Sequence, residues 1–361
     1  MSRKNPSAEP AQNGASEKPK PVTLKAVAQH LGLSTATVSL VLNRSPVADS
    51  IPRETHERVF AAARELKYRP NYMARSLRRQ RSFSIGVLVP EISEGYAAGV
   101  MHGIEAHLLR EGYFYLVASH RLSGDILNEY VGLLEQRSVE GFIMVAAPLE
   151  TSPLLPTVAV AGHREMGGVT NVVLDHDQAI RLAMDHLVEL GHERVAFFKG
   201  HPNSSDTEAR WDAIQRTAGD LGLAFRPELC VQLSGEPSGE IFSPEEGYRE
   251  GYAFGRKLLG QTRDFTALFA FNDISAIGAI RAFLDAGLRV PEDVSVIGFD
   301  DIEVASFHNP SLTTVRQPLF EMGELASRTL LARIAGVDAP APFHTVEAEL
   351  VVRDSTAPPR A

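Results

Sequence analysis

The chain has 361 residues, of which 44% are hydrophobic and 22% are charged. This length exceeds the size at which a single core keeps growing, so we expect two or three domains of ordinary globular composition. The one cysteine, Cys230, excludes an intrachain disulfide and a cysteine-rich metal site. Arg3 and Lys4 precede no apolar run, and no stretch approaches the ~20 apolar residues of a membrane span, so we expect a cytoplasmic protein with no membrane partner.

The net charge of −9 argues against a nucleic-acid binder until it is divided along the chain. Residues 1–81 hold 15 basic and 6 acidic residues, a net charge of +9, whereas residues 82–361 hold 21 basic and 39 acidic residues, a net charge of −18. This division suits a DNA-facing segment on an acidic body that repels phosphate. A solvated basic surface without a partner is the alternative explanation.

The first elements in chain order are a leader and a helical domain. Residues 1–21 are rich in Pro, Ser, Ala and Lys without apolar periodicity, which predicts a disordered leader. Residues 22–69 show three short helical patterns in succession and are predicted to form a three-helix domain. The apolar positions expected in its core are Leu24, Val27, Ala28, Leu31, Val38, Val41, Leu42, Val59, Ala62, Ala63 and Leu66.

The first two helices have the spacing of a helix-turn-helix. Thr23 and Ser34 stand where a hydroxyl can accept from the free amides of a first turn, and Gly32 supplies the tight turn between the helices. With the valines of the second helix turned inward, the opposite side is the face that a recognition helix presents to the major groove. The outward residues are Thr35, Ala36, Ser39, Leu40 and Asn43.

The pattern changes after Arg81, where apolar runs alternate with longer amphipathic helices. This alternation predicts an α/β body, residues 83–361, made of two doubly wound subdomains. The N-subdomain is expected at about 83–174 and 317–343, and the C-subdomain at about 175–316 and 344–361. The predicted strands are 85–89, 114–117, 142–145, 195–198, 229–233, 267–270 and 294–298, and the predicted helices are 97–110, 126–136, 177–190, 207–221, 245–259 and 273–286.

A series of short motifs runs along the chain from the first helix to the end. They are Thr23-Leu24, Gly32-Leu33-Ser34, Thr37-Val38-Ser39, Val41-Leu42-Asn43, Tyr68-Arg69-Pro70-Asn71, Ala74-Arg75-Ser76-Leu77, Phe271-Asn272-Asp273, Phe299-Asp300-Asp301 and Leu312-Thr313-Thr314-Val315. These motifs closely resemble those of the LacI/GalR family of bacterial repressors, and the helix-turn-helix and basic motifs together are highly specific. The resemblance implies an N-terminal all-α helix-turn-helix domain followed by a periplasmic-binding-protein-like body.

The resemblance implies binding to double-stranded DNA at a palindromic operator, because a homodimer presents two identical heads. The chain departs from the family at Leu40, where an arginine that reads guanine is usual. Leucine cannot hydrogen-bond to base edges, so Thr35 and Ala36 become the stronger candidates for base readout. The full predicted set in the head is Thr23, Ser34, Thr35, Ala36, Thr37, Ser39, Leu40, Asn43, Thr55 and Tyr68.

Residues 70–82 are predicted to form a hinge helix and linker. Pro70 opposes helix continuation and Asn71 is a good N-cap, but a helix of about two turns is unstable alone in water. In the family such a helix folds on DNA, pairs with its symmetry mate and inserts a leucine into the minor groove. The resemblance assigns that leucine to Leu77, with Asn71 and Ala74 in support, and Arg75 beside it is also expected to bind DNA. A basic linker with an incidental leucine is the alternative.

The body is expected to bind a small-molecule effector in the cleft between its subdomains, because open α/β sheets bind ligands beyond the carboxyl ends of their strands. Asn272 and Asp300 follow predicted strands, and the resemblance adds Arg210 and Tyr96 to the effector-binding residues. A sugar or sugar derivative suits these groups. However, the segment 160–162 lacks the aspartate that is common in sugar-binding members.

The sequence offers no catalytic motif and no cofactor-binding loop, so we expect a regulator and not an enzyme. Asp175, His176 and Asp177 are consecutive at the start of a helix, where they do not easily converge on one metal ion, and we expect no metal. His192 is expected in a loop. The alternatives are a two-lobed solute-binding protein and a DNA-tethered α/β enzyme. The identity of the effector, the sign of its action and the operator sequence stay open.

Overall fold

The computed structural model describes residues 22–43, 46–68, 81–92, 95–233, 246–337 and 341–360. The chain forms two compact units, one that extends to Arg81 and one that begins at Ser82. We call the first the head and the second the body. In the described ranges, no helix is both long enough and apolar enough to cross a membrane.

Three α-helices build the part of the head that the structure describes. Helix α1 spans Leu24–Leu31, α2 spans Thr35–Leu42 and α3 spans Arg53–Glu65, and a 3-10 helix, Pro46–Ser50, lies between α2 and α3. Their apolar sides meet in one small core, as the helical periodicity predicted. Its buried members are Val27, Ala28, Val38, Val41, Val59 and Ala62.

The ends of α1 and α2 are fixed by the predicted caps. The Thr23 hydroxyl accepts from the amide of Ala26 at 3.2 Å, and the Ser34 hydroxyl accepts from the amide of Thr37 at 3.0 Å. Gly32 ends α1 at φ +67°, a left-handed conformation that glycine adopts without steric cost. The turn between the two helices is therefore set by three residues whose conformational preferences agree with it.

The first half of the body is built on a parallel sheet, which with its helices we call the first lobe. Its strand order is β11-β5-β4-β3-β1-β2, and all of its pairings are parallel. Strands β1, β3, β4 and β5 are buried throughout, as expected for a sheet covered on both faces. The strands are β1 Ser84–Val89, β2 Phe114–Ser119, β3 Phe142–Val145, β4 Thr157–Val160, β5 Val169–Leu174 and β11 Phe343–Val346.

The second sheet, with its helices, forms the second lobe. Its strand order is β12-β10-β9-β8-β6-β7, and β12 runs antiparallel to β10 while the other pairings are parallel. A single antiparallel edge strand on a parallel sheet is common in large α/β sheets. The strands are β6 Val195–Lys199, β7 Cys230–Gln232, β8 Ala267–Phe269, β9 Ser295–Asp300, β10 Thr313–Arg316 and β12 Glu349–Val351.

Helices cover both sheets and their apolar sides complete the cores. In the first lobe, two of them approach backbone to backbone, because a Cβ at Gly103 would collide with the carbonyl of Phe320 and one at Gly323 with the carbonyl of Val100. The helices are α4 Gly95–Arg110, α5 Gly124–Glu135, α6 His176–Glu189, α7 Asp206–Asp220, α8 Glu246–Gln261, α9 Asp273–Asp285, α10 Glu303–Phe307 and α11 Leu319–Ile334.

The chain passes from one lobe to the other after β5, between β10 and α11, and between β11 and β12. The last of these crossings lies a few residues after the subdomain boundary expected at about residues 343 and 344. Phe343 pairs with Asn171 and Val346 with Leu174, so all of β11 belongs to the first lobe and the last crossing falls at 347–348. Strand β11 is a half-exposed edge strand without an apolar run, so the sequence pattern did not predict it.

Candidate functional site

Helix α2 turns its valines into the head and its predicted recognition face toward solvent. Val38 and Val41 are fully buried, whereas Thr35 and Ala36 are exposed. An exposed helix face next to a packed one is the arrangement that lets a recognition helix reach base edges. The other predicted residues of this face are half-buried: Ser39, Leu40 and Asn43.

Some of the predicted DNA-binding side chains also hold the ends of the helices. The Asn43 amide donates to the carbonyl of Ser39 at 2.8 Å at the end of α2. At its start, the hydroxyls of Ser34 and Thr37 are 2.8 Å apart. These polar groups already have partners within the head, so Thr35 is the predicted polar side chain on α2 that is most available to DNA.

Thr55 and Tyr68 are half-buried, and Tyr68 packs against the small core of the head. The hinge residues named above are outside the described part of the chain, and their predicted role rests on the sequence alone. They are Asn71, Ala74, Arg75 and Leu77.

In the body, Asp300 is the last residue of β9 and is buried. Its backbone has φ +110°, in a region that L-residues rarely adopt. The Gln317 amide donates to the Asp300 carboxylate at 2.7 Å. Because Gln317 lies where the chain passes between the lobes, this hydrogen bond joins a strand end of the second lobe to the crossing segment.

Arg210, on α7, is only 3% exposed. Its guanidinium lies 4.4 Å from the ring centre of Phe271 and 3.8 Å from that of Phe299, and one terminal nitrogen donates to the Phe271 carbonyl. The other terminal nitrogen is 3.4 Å from Asp206, while Nε has no hydrogen-bond partner among the described residues. Arg210 is therefore packed beside the ends of β8 and β9, and its Nε–H is left without a partner among the described residues.

Asn272 follows β8 and caps α9. Its side-chain oxygen accepts from the amide of Ser275 at 2.9 Å, and the Ser275 hydroxyl is within 3.3 Å of the amide of Asn272. Tyr96 is buried in the first turns of α4, and a Cβ on the preceding Gly95 would lie 2.8 Å from Ile302. The start of α4 in the first lobe thus approaches the loop that follows Asp300 in the second.

Three further polar side chains meet where the lobes approach: His163 from the loop after β4, His176 at the start of α6 and Asp206 at the start of α7. Both imidazoles hydrogen-bond to one oxygen of Asp206, at 2.6 Å from His163 Nε2 and 3.3 Å from His176 Nε2. Ser205 also donates to the carbonyl of Ala161. His163 belongs to the first lobe and the two partners to the second, so these contacts bridge the cleft.

Burial and neighbouring groups shift the pKa values of Asp206 and His176 in this cluster. Burial by itself would raise the pKa of Asp206, but the hydrogen bonds from His163 and His176 and the positive charge of Arg210 lower it well below its usual range. Burial is also the main cause that lowers the pKa of His176, and it outweighs the hydrogen bond to Asp206. Asp206 is therefore ionised, and it is the common acceptor of the cluster.

Asp273 is a second buried carboxyl group, at the start of α9. It accepts from the amide of Ile302 at 2.8 Å and from the hydroxyl of Thr314. Burial raises its pKa to about 7, although these hydrogen bonds act in the opposite direction. Asp273 joins α9 to β10 and to the loop after β9, which supports the segment that carries Asp300.

Sequence reasoning missed the cluster because His163 follows a strand that it did not identify. In the sequence, His176 stands between Asp175 and Asp177, a run that indicates the start of a helix. Asp175 is indeed the cap of that helix, and it accepts from the amide of Gln178 at 3.0 Å. His192 lies in a loop, as expected. It is 2% exposed and its ring is 2.8 Å from Thr266 Oγ1 and 3.0 Å from the carbonyl of Ala357, so it also anchors the C-terminal segment.

Models of known protein families match parts of both the head and the body. Residues 23–71 match the model described as bacterial regulatory proteins of the lacI family. Residues 184–356 match the model described as a periplasmic binding protein-like domain. The first match begins one residue before α1, and the second takes in most of the second lobe with α11 and β11.

Individual relatives resemble the chain over nearly its whole length. The HTH-type transcriptional repressor PurR of Haemophilus influenzae is 31% identical over 345 residues, which are 92% of this chain and 98% of that protein. The structure of the lac repressor dimer bound to operator and the anti-inducer ONPF has a TM-score of 0.80 at 26% identity and covers 94% of this chain and 100% of its own. The complex of the transcriptional regulator CelR with cellobiose has a TM-score of 0.66 at 29% identity. The match covers 92% of this chain and 99% of CelR.

Proposed function

This chain belongs to the LacI family of bacterial regulatory proteins, as its motifs predicted, and is a DNA-binding transcriptional repressor with a small-molecule effector; on that premise, we propose that it acts as a homodimer on a palindromic operator. The effector binds in the cleft between the two lobes and changes the affinity for DNA. The observation that carries the proposal is Arg210, which is held between two aromatic rings at the strand ends with a buried donor left over.

The head contacts DNA through α2 and through the hinge residues that follow it. Thr35 and Ala36 are exposed on α2 and can reach base edges in the major groove. Leu40 contributes an apolar contact, for which the thymine methyl is the suitable partner. Leu77 enters the minor groove at the operator centre, with Arg75 beside it on the backbone.

The homodimer follows from the symmetry of such operators, since a two-fold pair of heads reads two equal half-sites. The lac repressor structure that resembles this chain is a dimer bound to operator, which supports the same assembly here. Action on chromosomal DNA implies a cytoplasmic location. The rival functions fit less well, because the matched relatives are repressors and not solute carriers or enzymes.

The effector is a small polar molecule of the sugar or sugar-derivative class. Asp300 and Asn272 supply oxygen acceptors at the strand ends, Arg210 supplies a donor and Tyr96 an aromatic ring. Hydroxyl groups suit this mixture of acceptors and donors. The resemblance to the regulator CelR, whose structure is a complex with cellobiose, supports the class.

A thermal-shift screen of sugars, sugar acids and nucleobases, followed by gel shifts, tests the proposal. The expected result is one compound class that raises the melting temperature of the body and changes the affinity of the chain for a palindromic site. Affinity should also fall steeply as salt rises, because phosphate contacts release counterions. DNA binding without preference for any sequence would refute the proposed operator recognition.

A further inference from the structure

The cluster of His163, His176 and Asp206 has the composition of a metal site. Two imidazoles and one carboxylate make up the donor set of many zinc centres that keep a fourth position open. In this body the three donors converge from a loop and two helix starts that lie far apart in the sequence. Their candidate ligand atoms all lie within 4.8 Å of one another.

The two distances to Asp206 suit a tetrahedral ion after a small adjustment. Zinc–ligand bonds of roughly 2.0–2.1 Å place neighbouring ligand atoms about 3.3 Å apart. The His176 Nε2 to Asp206 Oδ1 distance is already 3.3 Å. The His163 Nε2 to Asp206 Oδ1 distance is 2.6 Å, so the half-buried His163 would move outward by a fraction of an ångström.

The surroundings also point to a ligand. Asp206 Oδ2 faces a terminal nitrogen of Arg210, which orients the carboxylate and leaves Oδ1 directed at the imidazoles. His176 Nδ1 and Arg210 Nε are buried without hydrogen-bond partners among the described residues. Unpartnered buried polar atoms are uncommon in native proteins, and two of them around one cluster indicate that a water, an ion or an effector atom completes it.

We propose that His163, His176 and Asp206 bind one divalent transition-metal ion of the zinc class between the two lobes of the body. The imidazoles bind through Nε2 as neutral rings with their proton on Nδ1, so bonds to the ion replace the hydrogen bonds that Nε2 now makes to Asp206. The fourth position takes a water molecule or an oxygen of the effector. Because His163 belongs to one lobe and its partners to the other, the bound ion stabilises the arrangement in which the lobes are close.

The consequence for regulation rests on the proposed function. A ligand that binds one arrangement of the lobes more tightly shifts the population toward that arrangement. A metal ion at this site therefore changes operator affinity together with the effector. The metal site itself does not depend on DNA binding, so the two can be tested separately.

The test uses the full-length chain, stripped of metal with a chelator that is then removed. Zn²⁺ binding is measured by competition with a chromophoric chelator, and Co²⁺ is added separately to record the visible spectrum of the bound ion. The expected result is one tightly bound ion per chain. His163→Gln should weaken binding by more than about 100-fold, since loss of a ligand should exceed the 10–100-fold typical for an outer-shell partner. His176→Gln should have the same effect.

The matched control is His102→Gln, which removes an exposed imidazole on α4 away from the cluster. It should bind zinc like the unaltered chain. Melting curves without metal identify any variant that fails to fold. Zinc binding that is equally tight in folded His163→Gln would overturn the site, as would the absence of a stoichiometric site in the unaltered chain. Operator binding, measured in chelator, reports on the proposed function independently.

Discussion

The head and the body present their functional side chains by different means. In the head, the predicted recognition face lies on α2 and its C-cap Asn43, and its exposure follows from helical geometry once Val38 and Val41 are buried. In the body, His163 and Asp206 are 43 residues apart in sequence and meet only because two sheets approach each other. The comparison indicates that the proposed DNA readout depends on one short helix, whereas the proposed control by effector and metal depends on the tertiary arrangement.

The largest expected effect comes from a substitution that unfolds the head and leaves the body folded. Val38→Asp places a carboxylate in a small core that has six buried apolar members among the described residues. It should lower the free energy of unfolding of the head by more than about 4 kcal/mol. Operator binding should be lost, while the melting transition of the body should be unchanged. Val47→Asp is the control, because Val47 is 65% exposed and its replacement should change stability by less than about 0.5 kcal/mol.

The second prediction concerns pH and the body alone. The pKa of Asp273 is about 7 in the folded chain, and an ordinary Asp pKa of roughly 3.9 applies when it is unfolded. Between these values the folded state holds a proton that the unfolded state releases, so this contribution to stability falls as pH rises. Between pH 5 and pH 8, the unaltered chain should lose about 3 kcal/mol of unfolding free energy through this group, and Asp273→Asn should not lose it. Urea unfolding of both proteins at the two pH values measures the difference. A constant difference between the two proteins would contradict the raised pKa.

The third prediction returns to DNA and to the hinge. Leu77→Ala should lower operator affinity by roughly 10- to 100-fold, because the wedge that offsets the cost of unstacking is lost. The body should keep its melting temperature. Leu154→Ala is the matched control, since Leu154 is 94% exposed on the body. Equal operator affinity of the two variants in gel shifts would rule out the wedge.

The fourth prediction separates the effector cleft from the head. Asp300→Ala should weaken effector binding by roughly 10- to 100-fold, the usual cost of a hydrogen bond to a charged group. DNA binding without effector should remain. Asp212→Ala, an exposed aspartate of α7, is the control. Isothermal titration with the compound found in the screen measures the effect, and an intact response in Asp300→Ala would exclude that residue from the site.

The smallest effect distinguishes a cap from a DNA contact. Ser34→Ala removes the hydroxyl that accepts from the amide of Thr37 and should destabilise the head by about 1 kcal/mol. Ser34→Thr should retain most of the cap. If Ser34→Ala also lowers operator affinity more than about tenfold while the head stays folded, Ser34 touches DNA in addition to capping α2.

Most of the fold was predictable from local sequence signals, whereas the arrangement of side chains in the cleft was not predictable. The caps Thr23 and Ser34 and the turn at Gly32 were predictable because each depends on residues within four positions of itself. The cluster around Asp206 was not, since its donors are joined only by the folding of two lobes. The motif resemblance selected Arg210 and Asp300, but the packing of Arg210 between two rings has no local sequence signal.

The central claim is that two identical chains act on one operator. Sedimentation of the full chain with a single palindromic duplex, together with binding to the same duplex with one half-site scrambled, tests it most directly. The account predicts two chains per duplex and a large loss of affinity when one half-site is scrambled. One chain per duplex, with equal affinity for the intact and scrambled sites, would contradict it.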